Sequence, residues 1–408
     1  MSAHHSILRG RPRRGLTTLL VAALLPAAGC SEKPNGSMVW KQDLLAIKTA
    51  VTAVVAFAPH DAIAVGWALP EFALLAQPLS LHWNGSAWSA LPMPTTRSTV
   101  VLGAAPDRDG GVWAVGRIVS SEAEPFDPVP AAYRYASGAW TSLPLDELGL
   151  QNGVTFSGVA TAGSGADLEV RAVGDSVGAG GRIVRYAGGH WSVMATPVPP
   201  AGVGWTLRAI AYSATTRDWF AVGRSDESGG TILVDRGAGW ESVAGPALRA
   251  DWTGVAFDGR AIPYLAGNRI EGTNQHGVVY RLQLGGWVEA PITRRTAGPF
   301  HLWAIGFDAA GNGWTVGGRD PGGPFFAGTS PRGWAESAVE AEVEEHPANE
   351  EVAAGDLTGI AGVEESVAFA VGSAQEADPE GGSEYQPRVF RLVFRPAGEV
   401  DLPTSPAH

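Results

Sequence analysis

The sequence predicts an all-β fold: a seven-bladed β-propeller of four-stranded blades, closed by an N-terminal strand that completes the last blade. Two repeated motifs and their period predict it. A short motif ending in Ala-Val-Gly, or a close variant, returns seven times, with its glycine at Gly66, Gly116, Gly174, Gly223, Gly267, Gly317 and Gly372. A tryptophan soon after a small residue recurs at Trp88, Trp140, Trp191, Trp240, Trp287 and Trp334, in steps of 47 to 52 residues. Each unit holds four short apolar, β-branched or aromatic runs separated by turn residues, which read as strands. No unit carries an amphipathic pattern long enough for a helix of about ten residues. Four-stranded units at this period are the signature of propeller blades.

The seventh tryptophan is missing after Gly372 and stands at the other end of the chain, in Gly36-Ser-Met-Val-Trp40, 48 residues before Trp88. The strand around residues 38–42 is therefore expected as the outermost strand of the last blade, tying the two chain ends into one sheet and covering its edge. The expected blades run about 45–94, 95–145, 146–197, 198–245, 246–292, 293–337 and 338–395 plus 38–44, with a tail at 396–408. The motif glycine is expected to permit close approach between blades, and the tryptophan to pack between neighbouring blades.

The first thirty residues carry a different signal. Arg9, Arg11, Arg13 and Arg14 precede an apolar run at 16–25, too short to span a bilayer, and Ala27-Ala28-Gly29-Cys30 follows. This resembles the bacterial lipoprotein signal. The resemblance implies removal of 1–29, lipidation of Cys30, a tether at 30–37, and a place in the bacterial cell envelope, at the outer membrane. Membrane contact is then expected through the lipid alone.

Composition excludes several classes. With 17% charged and 45% hydrophobic residues among 408, the chain is neither disordered nor collagen-like. The net charge is −12, and 25 basic against 41 acidic residues remain after residue 29, a net −16. Such a surface repels nucleic acid, and no basic stripe offsets it. Lysine occurs only at Lys33, Lys41 and Lys48, which excludes a P-loop or Schiff-base lysine in the body of the chain. Cys30 is the sole cysteine, so no internal disulfide exists.

Asp107-Arg-Asp-Gly110-Gly-Val-Trp113-Ala-Val-Gly116 and Asp308-Ala-Ala-Gly311-Asn-Gly-Trp314-Thr-Val-Gly317 fit Asp-x-x-Gly-x-x-Trp-x-x-Gly. This resembles the repeats of the two-component-regulator type of propeller, which implies the fold but assigns no ligand. The spacing departs from the sialidase Asp-box by one residue. The Asp and Gly are explained as hairpin-turn residues.

The sequence lacks His-Glu-x-x-His and paired cysteines. No catalytic residue, metal or cofactor is assigned. Aligning the units places Val51, Ser98, Thr155, Thr206, Asp251, His301 and Asp356 at the start of the innermost strands. Two residues on stand Ala53, Val100, Ser157, Arg208, Thr253, Trp303 and Thr358. Blades 4 to 7 are thus expected to be polar near the channel, and blades 1 and 2 apolar. Arg208, Asp251, His301, Trp303 and Asp356 form the candidate ligand site: an acid, a histidine and an arginine orient a polar ligand, and a tryptophan stacks on it. The acidic run Glu340-Ala-Glu-Val-Glu-Glu-His346 is read as a solvated insertion. The expected function is that of a monomeric, non-enzymatic binding or scaffolding module for a protein, peptide or glycan. The alternative is a carbohydrate-active hydrolase or lyase using acids at the channel mouth.

Overall fold

The computed structural model describes residues 36–396 except 44–48, 70–75, 95–96, 120–127, 151–152, 179, 198–203, 227–228, 273, 296, 320–322, 331–332, 341–354, 365–366 and 378–382. The segment expected to be a lipoprotein signal, Cys30 and most of the acidic run lie outside the described residues.

The chain from Gly36 builds seven sheets, five of them purely antiparallel meanders whose strands pair in sequence order. The innermost strands are Thr49–Ala58, Thr99–Pro106, Val154–Ala162, Trp205–Tyr212, Ala250–Phe257, Phe300–Phe307 and Gly355–Glu364, in blades 1 to 7. Each packs beside the innermost strand of the next blade, and blade 7 packs beside blade 1, so the ring closes. Helix among the described residues is confined to two single 3-10 turns.

Closure follows the expected route with one difference. Gly36–Asp43 pairs antiparallel with Ser383–Pro396 as the fourth strand of blade 7, in register from Gly36 opposite Pro396 to Asp43 opposite Val389. It is not the outermost strand, because Ala338–Glu340 adds parallel to its free edge. Blade 6 gains a fifth strand in the same way from Ile292–Thr293. In both cases the segment arriving from the preceding blade has extended backbone available to cover an edge that would otherwise be open.

The apolar core is divided among the seven blade-to-blade interfaces. Seven clusters of buried side chains form, one between each adjacent pair of blades. Every cluster contains or contacts the motif tryptophan of one of its blades, from Trp140 between blades 1 and 2 to Trp40 between blades 6 and 7. The residue ahead of Ala-Val-Gly enters the same wedges: Trp113 meets Trp191 edge-on at 6.2 Å, and Phe369 meets Trp88 at 6.0 Å. The expected inter-blade packing of the tryptophans is therefore present. Large aromatics bury the most apolar area per residue at such wedges.

The Ala-Val-Gly glycine has a different role from the one expected. A β-bulge interrupts each innermost strand opposite this glycine, between Val51 and Ala53 in blade 1 and at the same place in the other six. A Cβ on the glycine would overlap the carbonyl of the residue two before the bulged one, from Ala50 in blade 1 to Asp356 in blade 7. The close approach is thus within a blade, between its first and second strands. Approach between blades falls to the residue after the bulge, which is Ala53, Gly103, Gly158, Ala209, Gly254, Ala304 or Gly359. A Cβ on Gly103 would crowd the Ser157 carbonyl of the next blade.

Candidate functional site

One end of the ring is formed where each innermost strand begins and the second strand ends. There Val100 pairs with Arg117, Thr155 with Asp175, Asp251 with Asn268, His301 with Gly318 and Asp356 with Ser373. The register matches the sequence alignment in blades 3 to 7 and corrects it in blades 1 and 2. The equivalent positions there are Ala50 and Thr52 rather than Val51 and Ala53, and Val100 and Leu102 rather than Ser98 and Val100. Blade 1 accordingly presents the polar Thr52 at the position expected to be apolar. A bulge adds a residue without altering the run of apolar types, so periodicity does not reveal the slip.

Arg208 and Asp251 are brought into direct contact. Arg208 is the bulged residue of blade 4, and its Nε–H and Nη2–H donate to Asp251 Oδ1 and Oδ2, both at 2.9 Å. Asp251 starts the innermost strand of blade 5, so this planar, two-point pair bridges adjacent blades. It occupies both Asp251 oxygens, which suits an orienting pair better than an acid poised to transfer a proton. His301 and Asp356 begin the innermost strands of blades 6 and 7, and both are half-buried. Trp303 is the bulged residue of blade 6, also half-buried, with its indole N–H buried and lacking a partner among the described residues.

Three further charged groups, Arg117, Asp175 and Arg224, belong to this end of the ring and fall outside the predicted constellation. Burial pushes the Asp175 carboxyl above the usual aspartate value of 3.8, and the nearby charges of Arg208 and Arg117 oppose the rise without cancelling it. From blade 2 to blade 5 the ring mouth therefore runs Arg117, Asp175, Arg208, Asp251, with alternating sign. The readable signal was the residue directly after each motif glycine, where Arg117 and Asp175 stand. Asn268 follows in blade 5 as a structural clamp. Its side chain donates to Leu302 O at 3.1 Å and accepts from Leu302 N–H at 2.8 Å, tying blade 5 to blade 6 as a strand would.

The Asp residues of the fuller repeat act in turns. Asp107 Oδ1 accepts from the backbone N–H of Asp109 and Gly111, and Asp308 Oδ1 accepts from that of Asn312. These are the hairpin-turn contacts the sequence implied. A separate cavity of about 310 Å³ opens at the rim of blade 2, among Ile118, Tyr133, Leu143, Leu145 and Leu150. It includes none of the predicted site residues.

No family model matches the chain, and no curated protein matches it. Among solved structures the chain is similar to YCF48 bound to D1 peptide, with a TM-score of 0.52 and 13% identity over 90% of this chain and 97% of that one. It is also similar to AofleA from Arthrobotrys oligospora, with a TM-score of 0.44 and 13% identity over 74% and 94% of the two chains. A third likeness is to the PQQ-bound aldose sugar dehydrogenase from Streptomyces coelicolor, with a TM-score of 0.41 and 16% identity over 72% and 94%. At such identities the likeness is one of fold. The chain is a seven-bladed β-propeller with an asymmetric, charged ring mouth.

Proposed function

We propose that the protein is a non-catalytic binding or scaffolding propeller, lipid-anchored through Cys30 in a bacterial envelope, that holds a protein, peptide or glycan at its ring mouth. The carrying observation is a break in symmetry. The scaffold repeats its bulge, its motif glycine and its inter-blade tryptophan in every blade, while the mouth carries different charged and aromatic residues in each. A scaffold needs no such variety at equivalent positions, whereas a site built to orient one ligand does. The bound peptide of YCF48, a propeller similar over most of this chain, supports binding as a use of the fold. The anchor is supported by the sole cysteine standing five residues past the end of the apolar run, after Ala27-Ala28-Gly29.

The test is a thermal-shift screen of peptides and glycans on the purified protein. A saturable rise in melting temperature, lost in His301→Ala, is the expected result; the absence of any saturable shift overturns the binding reading. For the anchor, fatty-acid label should enter the wild-type chain and not Cys30→Ser. Label in both variants, or in neither, overturns it.

A further inference from the structure

We infer that the ligand is a neutral carbohydrate, and that Leu102, Arg208 and Trp303, the bulged residues of alternate blades, determine its recognition. This rests on the binding reading above.

One position recurs in all seven blades, at the bulge of the innermost strand. In blades 1, 3, 5 and 7 the bulged residue is a hydroxyl: Thr52, Ser157, Thr253 or Thr358. Each donates to a backbone carbonyl on the innermost strand of the next blade, Val101 at 2.9 Å, Leu207 at 3.0 Å, Leu302 at 2.8 Å and Thr52 at 3.0 Å. These are latches that fasten neighbouring blades. In blades 2, 4 and 6 the same position holds Leu102, Arg208 and Trp303, which have no hydroxyl to make that bond. They stand two, two and three blades apart, close to threefold spacing around the ring. The fold accommodates a small hydroxyl here, so the large residues are not dictated by closure.

Their chemistry selects the ligand class. Arg208 gives Asp251 only its Nε–H and one Nη2–H, and its side chain is 41% exposed. Nη1 takes no part in that pair, and its N–H groups can donate to a ligand hydroxyl. Trp303 is half-buried and offers an electron-rich ring face, which attracts the C–H face of a sugar. Leu102 adds an apolar wall. Charge argues in the same direction. Arg117, Arg208 and Arg224 balance Asp175, Asp251 and Asp356 in sign at this end of the ring, and the whole chain carries −12, which disfavours acidic polysaccharides.

The test titrates the purified protein with neutral hexose and N-acetylhexosamine oligosaccharides, uronic-acid oligosaccharides, and acidic and basic peptides, read by tryptophan fluorescence and calorimetry. A neutral sugar should bind saturably, with an affinity that changes less than about twofold between low and high salt. Trp303→Ala should weaken it about tenfold or more, and Trp303→Phe should recover part of the loss, since stacking survives. Leu102→Ala should weaken it with the melting transition still cooperative. The latch variant Thr253→Val should lower the melting temperature and leave the affinity unchanged. Binding of charged ligands alone, weakened by salt, overturns the inference and leaves the binding module standing, as does a neutral sugar indifferent to both Trp303 variants. No saturable ligand of any class overturns both.

Discussion

Arg171 in blade 3 reaches across to blade 4 and donates from Nη1 to the buried carboxylate of Asp235 at 2.7 Å. Its guanidinium lies 4.3 Å from the ring centroid of Trp219 and 5.3 Å from that of Trp240. Arg171 stands directly before Ala-Val-Gly, where the other blades place an aromatic or aliphatic side chain in the wedge. Here a cation fills the wedge by stacking on two indoles and pairing with an acid.

Removing one partner of this pair should cost far more than removing both charges. Arg171→Ala leaves Asp235 buried without its cation, a loss of about 3–5 kcal/mol. Arg171→Leu with Asp235→Asn should recover most of that, because Asn keeps the acceptor for the N–H groups of Gly237 and Gly239. Urea unfolding of the single and double variants measures it, and equal losses in both would refute the argument. Burial pushes the Asp235 carboxyl upward, but the Arg171 and turn hydrogen bonds outweigh burial and hold it below 3.8. Its stabilisation is therefore complete above that value and is lost as the pH falls through the lower, folded-state value. Wild type should lose stability more steeply than the double variant below about pH 4.

The motif glycines supply a second test. Gly317→Ala puts a methyl into the His301 carbonyl, and backbone on both sides cannot move without undoing the bulge. The expected destabilisation exceeds about 3 kcal/mol. Gly328→Ala, in the next strand of the same blade, meets its nearest atom at 3.6 Å and should be tolerated. Thermal melts of the two variants distinguish a steric requirement from a general aversion to side chains in blade 6.

The same glycines show what the chain reveals by itself. Seven blades, their tryptophan wedges and the displaced closing strand follow from motifs that recur at a fixed period, since each copy solves the same packing problem. The bulge does not follow, because one extra residue leaves the apolar pattern intact, and so blades 1 and 2 slip in register and Thr52 is passed over. Arg208 and Asp251 are recognisable as polar residues in a row of equivalents; their bidentate contact needs the neighbouring blade in place. Ala338–Glu340 and Ile292–Thr293 are too short to read as strands, and pairing alone defines them.

Asp175 should behave as a group held at some cost to the fold. Burial raises its carboxyl above 3.8 against the pull of Arg208 and Arg117, so the folded state takes up a proton more readily than the unfolded chain. Its ionised form then destabilises the fold at neutral pH, and the penalty fades as the pH falls through the raised value. Asp175→Asn should melt higher than wild type at pH 7, with the difference shrinking towards pH 4. A lower melting temperature at pH 7 would instead make Asp175 a stabilising partner of the two arginines. Desolvated charges of this kind concentrate at binding sites, so the variant that gains stability should also bind the ligand more weakly.

The closing strand links the chain ends through Asp43, whose carboxylate accepts from Arg391 Nε at 2.6 Å and Nη2 at 2.7 Å, and from the Trp88 indole at 3.0 Å. Trp40, on the same strand, is wholly buried and stacks on Phe326 of blade 6 at 4.6 Å. Blade 7 is thus fixed to both neighbours through residues of the first strand. Trp40→Ala should cost about 3–5 kcal/mol by emptying an inter-blade wedge. Asp43→Ala should cost less, about 1.5–3 kcal/mol, since Arg391 is partly exposed and still stacks on Trp83. Both should shift a single unfolding transition, because opening one interface of a closed ring relaxes the rest. A biphasic transition in Trp40→Ala would show that blades 1 to 6 hold together unaided. Deleting residues 36–43 removes the fourth strand itself and leaves the long strand Ser383–Pro396 with an open edge, so that variant should aggregate on expression rather than melt at a lower temperature.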